Sequence, residues 1–296
     1  MHSLAIERNL SLEHRTKRRP LSRLGSLCRR RPLLVISAAI IAALIAIAAF
    51  ADVIAPYDPN SISGGRLQAP NAEHRLGTDQ AGRDVLSRVV VGSRMSLFIG
   101  VATALIGTSL GAVIGGYCGF IGGKLDLVTQ RLIDSIQAFP TIILGLAVVA
   151  VLGPSVRNLI VALLIVFIPT STRVIRAVAL ATKEREFITA ARTIGAGDWR
   201  MFLRHILPQA VAPFIILISL NVGFGIVVES SLSFLGVGPP PPTVSWGGMM
   251  SGTTIRFAES APWVLIAPGV FLSLTVYGFN LLGDSLRDML DPRLRH

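Results

Sequence analysis

The chain is short of charge. Only 15% of its 296 residues are Asp, Glu, Lys or Arg, where a soluble domain carries about a quarter. That is too few to coat a globule. Hydrophobic residues make up 51% of the sequence and the mean hydropathy is +0.62. Length alone suggests one or two soluble domains, but the composition points to an integral membrane protein. Cysteine is scarce too: Cys28 and Cys118 are too few and too far apart for a disulfide framework or a metal cluster, and both read as ordinary thiols. The five histidines (His2, His14, His74, His205, His296) are scattered, and H-E-x-x-H, C-x-x-C and G-x-S-x-G patterns are absent. No phosphate-cradling loop occurs either. Gly123-Lys124 is followed by Leu125, and Cys118 stands where the first glycine of G-x-x-x-x-G-K-[ST] belongs. No catalysis, cofactor or metal is therefore expected in this chain. If it moves a solute actively, the energy comes from an ion gradient or from another subunit.

The charge that is present is concentrated. The net charge is +11, and two segments carry it. Residues 1–32 hold Arg8, Arg15, Lys17, Arg18, Arg19, Arg23 and Arg29–Arg31 against Glu7 and Glu13. Residues 172–208 hold Arg173, Arg176, Lys183, Arg185, Arg192, Arg200 and Arg204 against Glu184, Glu186 and Asp198. Basic clusters flanking apolar runs mark cytoplasmic segments of a membrane protein rather than a nucleic-acid surface.

A helix needs about 20 apolar residues to cross a bilayer. Six stretches qualify, at about Leu33–Ala51, Met95–Cys118, Leu132–Leu152, Val156–Val178, Gln209–Ser230 and Trp263–Gly283. Ala49-Phe50-Ala51 has the look of a signal cleavage site, but the long polar region before it favours an uncleaved anchor. With six spans both termini share one side. Placing them inside puts 21 of the 28 Lys/Arg in inside segments, in line with the positive-inside bias. The expected organisation is a basic cytoplasmic tail (1–32), a first span with an external loop (33–94), a five-helix core (95–284) and a short cytoplasmic tail (285–296).

Gly107, Gly111, Gly115 and Gly119 recur every fourth residue on one face of the second span, which predicts a close helix–helix seam. Pro140 and Pro169 predict kinks. Val85, Leu86 and Val89 are expected on the outer interface with Arg83 and Arg88 toward headgroups. Two acids fall inside spans, Asp134 in the third and Glu229 in the fifth. Each either touches the translocation path or ties helices together.

The loop at about 181–208 has its own pattern. Lys183–Ile194 predicts a helix with Phe187, Ala191 and Ile194 on one face. Gly195-Ala196-Gly197 breaks it, with Gly195 suited to a left-handed turn. Asp198 is expected to cap a second helix with Trp199, Phe202, Leu203 and Ile206 on its apolar face, ended by Pro208. Such a loop is an interfacial helix or a docking element for a soluble partner.

Thr189-Ala190-Ala191, Gly195 and Ile206-Leu207-Pro208 resemble the EAA loop of ATP-binding-cassette (ABC) importer permeases. Thr189 stands where that motif has glutamate, and Ile206 is one place from its usual isoleucine. Leu76-Gly77-Thr78-Asp79 with Gly82–Arg88, Leu232–Gly238 with Ser245-Trp246-Gly247, and Asn280–Asp284 with Leu286-Arg287-Asp288 and Asp291-Pro292-Arg293 resemble, in order, further segments of the peptide/nickel permease subfamily. The match is with its C-type dipeptide and oligopeptide subunits. The resemblance implies an all-α, six-helix type I ABC importer permease fold. It further implies a second homologous permease subunit, two cytoplasmic ABC ATPase domains that hold ATP and magnesium, and an external solute-binding protein. Thr189, Ala190, Ala191, Gly195, Asp198, Trp199, Ile206, Leu207 and Pro208 would form the ATPase-coupling loop. Short peptides are the first expected solute, with glutathione, nickel chelates and oligosaccharides as others. A proton-coupled secondary transporter using Asp134 and Glu229 is the competing reading.

Overall fold

The computed structural model describes residues 31–290. The basic tail expected over 1–32 therefore lies outside the described residues but for Arg31 and Pro32, as do Cys28 and the Asp291-Pro292-Arg293 motif. Among the described residues the secondary structure is helical, with one isolated bridge between Thr78 and Asp84. In chain order the helices are α1 (Pro32–Ala49), α2 (Ala51–Ile54), α3 (Val85–Ile121), α4 (Gly123–Gln137), α5 (Thr141–Leu152) and α6 (Val156–Lys183). Then follow α7 (Glu186–Thr193), α8 (Asp198–Met201), α9 (Leu207–Leu232), α10 (Trp246–Met249) and α11 (Trp263–Leu290). Five helical stretches, built on α1, α3, α6, α9 and α11, are long and apolar enough to cross a membrane. The α4–α5 pair completes a sixth crossing if it is taken as one broken span.

The glycine stripe makes the central seam. A Cβ on Gly107 would stand 2.9 Å from the Phe167 Cβ, one on Gly111 2.6 Å from the Ser171 Cβ, and one on Gly119 3.0 Å from Arg176 Cγ. One on Gly115 would run into the Thr172 carbonyl. So α3 and α6 pack backbone to backbone, which only small residues allow. Helix α9 crosses both, and Asn221 Nδ2 donates to Thr108 Oγ1 (2.9 Å) and to Ser171 Oγ (3.3 Å). This polar knot in an apolar interior fixes the rotation of three helices at once.

Several elements differ from the expected spans, each for a local reason. The second span begins at Val85 rather than Met95, because Asp84 caps it: its Oδ2 accepts from the Ser87 amide at 2.7 Å. Val85 and Val89 are consequently buried in the core and not on the outer interface, and Arg88 is buried too. The third span is not a single helix. Its two arms meet at 89°, since Pro140 takes the extended conformation before α5 (φ −58°, ψ 131°) and carries no amide hydrogen for α4. The last helix runs through Leu290, so the C-terminal tail expected from 285 starts as helix.

The two ends of the bundle are built differently. At the capped end, residues 55–84 fold over α3 through turns and hydroxyl bridges. Thr78 Oγ1 donates to the Gly65 carbonyl (2.6 Å) and accepts from the Gln68 amide (2.8 Å), and His74 Nδ1 lies 2.9 Å from the buried Asp84 Oδ1. Trp246 anchors the segment between α9 and α11, with its amide donating to Ser96 Oγ (3.1 Å) and its Nε1 to the Val89 carbonyl (2.9 Å). Arg94 closes the α1 end, donating to the Ala48 and Ala49 carbonyls and pairing with Asp52. The opposite end carries the loop of residues 181–208.

Candidate functional site

Helix α7 is short and lies on the ends of α3 and α6. Its inner side is Ile188 and Ala191, which join Phe120, Ala179, Met201, Phe202 and Ile206 in one buried cluster. The expected face of Phe187, Ala191 and Ile194 is therefore corrected. The chain turns between Lys183 and Glu186, which resets the helix so that i, i+3 residues 188 and 191 face inward. Ile194 falls past the last turn and is 86% exposed. Ala191 points into the protein, and only Ala190 and Thr189 of that triplet stand on the outer surface.

The end of α7 is a Schellman motif. The Ala196 amide donates to the Ala191 carbonyl (3.1 Å), the Gly195 amide donates to the Arg192 carbonyl (3.0 Å), and Gly195 has φ +85°. A Cβ at Gly195 meets nothing within 4 Å, so backbone conformation, not space, requires glycine there.

Two further expectations are corrected. Gly197, not Asp198, is the cap residue of α8. Asp198 is the first residue inside it, makes no cap hydrogen bond, and favours the helix only through the dipole. Pro208 does not end the second helix. Residues Phe202–Ile206 form a π-turn in which the Leu207 amide donates to the Phe202 carbonyl, and α9 continues directly from it. Proline is tolerated in the first turn of α9, and the wide turn before it relieves the clash of its ring. The loop thus ends as one continuous helical lever with the fifth span. Of the expected apolar stripe, Phe202 and Ile206 are buried while Trp199 (57% exposed) and Leu203 face outward. Tyr117 on α3 steadies the lever, meeting the Phe202 ring at 5.5 Å and the Trp199 ring at 5.7 Å, both edge-on.

Phe187, Ile194, Trp199 and Leu203 remain exposed apolar side chains of this loop, as Thr189 and Ala190 remain exposed, on elements whose buried sides form the packed base. Among the described residues these side chains stay partly or largely exposed, whereas the cluster beneath them is buried.

Asp134 and Glu229 are not brought together. Asp134 on α4 pairs with Arg173 on α6 and both are about half exposed, so the pair is a strut between the two helices. A second strut, which sequence reasoning missed, is the bidentate Arg176–Asp126 pair with both contacts at 2.6 Å. Asp126 lies before the expected third span and Arg176 inside the fourth, so the sequence carried no signal for the pair. Glu229 is fully buried and accepts from Ser233 Oγ (2.7 Å) and Ser230 Oγ (3.2 Å) at the capped end. Among the described residues no three His, Cys, Asp or Glu side chains converge in a way that could hold a metal ion.

A bundle of membrane-crossing helices with a glycine seam, a broken third element and an anchored loop bearing an open apolar face is the architecture of a multi-pass membrane permease subunit. Residues 111–296 match the family described as the inner membrane component of binding-protein-dependent transport systems, and residues 28–72 match the N-terminal TM domain of oligopeptide transport permease C. The chain is 41% identical over 273 residues to the dipeptide transport system permease protein DppC of Alkalihalophilus pseudofirmus, covering 90% of this chain and 88% of the relative. It is 41% identical over 254 residues to the glutathione transport system permease protein GsiD of Pectobacterium atrosepticum (85% and 84% covered) and 40% identical over 269 residues to that of Escherichia coli (90% and 88%). The chain belongs to the binding-protein-dependent transport system inner membrane component family, as a non-catalytic permease component of an ABC transport system. Nothing in these relationships supports a proton-driven transporter.

Proposed function

We propose that this subunit forms half of the translocation pathway of an ATP-driven importer for short peptides or a similar small solute. Its relatives are named for dipeptide and glutathione transport, and peptide is the reading carried over. The second half of the pathway is a homologous permease subunit. ATP and magnesium are held by two ATPase domains on other chains, and an external binding protein delivers the solute. We place both termini and the 181–208 loop on the cytoplasmic side of the inner membrane, the orientation that the Lys/Arg distribution favours. The capped end is then external.

The observation that carries this reading is the loop's construction. A docking element needs a rigid base, so that force applied to it moves a span, and an unfilled outer face to receive the partner. Ile188, Ala191, Met201, Phe202 and Ile206 make the base, and the π-turn joins it to α9 without a hinge. Ile194, Trp199 and Leu203 make the face. A groove on the ATPase covers that face, and movement of the ATPase on ATP binding passes through α8 and the π-turn into α9.

The direct test places single cysteines at Thr189 and Ile194 in a chain with Cys28 and Cys118 replaced, and cross-links each to the ATPase in the assembled complex. Cross-links from both positions are expected, with yields that change on ATP binding. If neither forms while transport persists, the loop is only an interfacial helix. The same cysteine at Ile194, and one at Thr243, fix orientation: impermeant reagent applied to intact cells should label Thr243→Cys and spare Ile194→Cys.

A further inference from the structure

At the capped end, the 55–84 segment and the segment after α9 enclose a cavity of about 410 Å³. Arg83, Arg88, Asn60, Ser233 and Ser245 line it together with Pro239–Pro242. Two guanidinium groups converge there on one carboxylate: Arg83 Nε lies 2.7 Å and Arg88 Nε 3.5 Å from Asp79 Oδ2. Arg88 Nη1 is used as well, donating to the Pro59 carbonyl at 2.8 Å. Among the described residues, Arg83 Nη1, Arg83 Nη2 and Arg88 Nη2 have no protein acceptor, and no acidic side chain lines the cavity. Glu229 sits behind the Ser233 hydroxyl that it engages. One of the two positive charges is left without a counter-charge although the side chain of Arg88 is only 11% exposed.

A guanidinium sunk this far with idle donors is unfavourable by itself. It becomes favourable when an acceptor enters, and the planar fork of donors matches a carboxylate best. Proline fixes its own φ, and the run of four stiffens that part of the lining. Its recess and size suit a small solute's terminus.

We propose that this cavity is a subsite for the C-terminal carboxylate of an incoming peptide, held by the free donors of Arg83 and Arg88 as the solute leaves its delivery protein. The inference rests on the peptide-importer reading above. The test uses the full complex with its binding protein in liposomes, and compares uptake of one peptide with a free C-terminus against the same peptide with a C-terminal amide, in wild type and in Arg83→Gln. Arg83→Lys, which keeps the charge, and recovery of assembled complex serve as controls for folding. In Arg83→Gln, uptake of the free acid should fall about tenfold relative to wild type, the worth of a lost charge-assisted contact. Uptake of the amide should stay within about twofold, and Arg83→Lys should regain part of the loss. Equal losses for acid and amide would overturn the proposal, assigning the arginine to folding or to contact with the delivery protein, and so would no loss for either. Wild-type complex that carries neither peptide would overturn the peptide reading and this ligand with it, a result distinct from a wild type that carries both and a variant that leaves their ratio unchanged.

Discussion

The two ends of this bundle solve opposite problems. At the capped end almost every polar group is answered within the chain: Thr78 bridges Gly65 and Gln68, Asp84 holds Ser87 and His74, and Trp246 donates twice into α3. At the loop end the base is dry and packed, but Ile194, Trp199 and Leu203 face outward unanswered. An exposed apolar patch on a rigid base marks an interaction surface, whereas a network with its donors and acceptors paired marks a fixed lid. Apart from the Arg83–Arg88 cavity, the molecule is closed at one end, and it is incomplete at the other. Substitutions in the paired network of the first end should cost stability, and at the second should cost coupling.

The largest expected effect is at the capped end. Trp246→Ala removes a fully buried side chain and the indole donor it adds to the Val89 carbonyl, and opens a void between α3 and the Phe271 ring 6.2 Å away. Truncating a buried aromatic costs about 3–5 kcal/mol. Thermal unfolding of the purified complex should shift down sharply, and little assembled complex should be recovered. A Trp246→Ala subunit that assembles and melts as wild type does would mean that the capped end is not a stability element.

Gly195→Val should come next. Valine at φ +85° is strained by about 1–2 kcal/mol, and the Schellman bonds to Ala191 and Arg192 give way before the surrounding bundle does. The subunit should still insert and assemble. ATP hydrolysis by the complex should lose its stimulation by the loaded binding protein. Normal stimulated hydrolysis in this variant would detach the loop from coupling.

These two sites also show what was legible in the sequence. The glycine stripe and Gly195 could be read because their reason is local: period four on a helix, or a turn that only glycine makes without strain. Six apolar runs were legible for the same reason. What escaped was set by packing between distant segments. Nothing near Ile188 says that it, and not Phe187 or Ile194, faces Phe120; that follows from where α6 stops. Pro208 read as a terminator because proline usually is one, and the π-turn that accommodates it has no composition of its own. Arg88 looked like a headgroup contact until Asp79 and the Pro59 carbonyl, brought over by the 55–84 fold, claimed it. The 89° break was visible as Pro140 but not in its size.

The double substitution Ile194→Ala with Trp199→Ala isolates the outward face. Ile194 is 86% exposed and Trp199 keeps ring contacts to Tyr117 and Phe202, so the subunit's own stability should fall by no more than about 1 kcal/mol. Affinity for the ATPase should nevertheless fall, because a buried aromatic anchor at an interface is worth about 2 kcal/mol or more. Titrating purified ATPase against the permease pair in detergent measures it. An unchanged affinity beside an unchanged melting temperature would leave the exposed face with no partner to explain it.

The smallest effect is expected where charge lies open to water. Asp52 takes both Arg94 Nη groups at 2.7 and 2.9 Å, and this hydrogen bonding, with the guanidinium's charge, holds its carboxyl below the usual aspartate range. A pKa lowered on folding stabilises the fold above the unfolded value, about 3.9, and that contribution is lost as pH falls through the lower folded value. Between pH 7 and pH 5 the pair is therefore fully ionised in both states, and the melting temperatures of wild type and Asp52→Asn should run parallel. Their separation should be slight, because an exposed pair is screened by water and salt and Arg94 keeps its bonds to the Ala48 and Ala49 carbonyls whichever residue stands at 52. Only below about pH 4 should the two curves converge. A large gap at pH 7, or one that closes already between pH 7 and pH 5, would show that this charge belongs with the interlocked network of the capped end and not with its solvated edge.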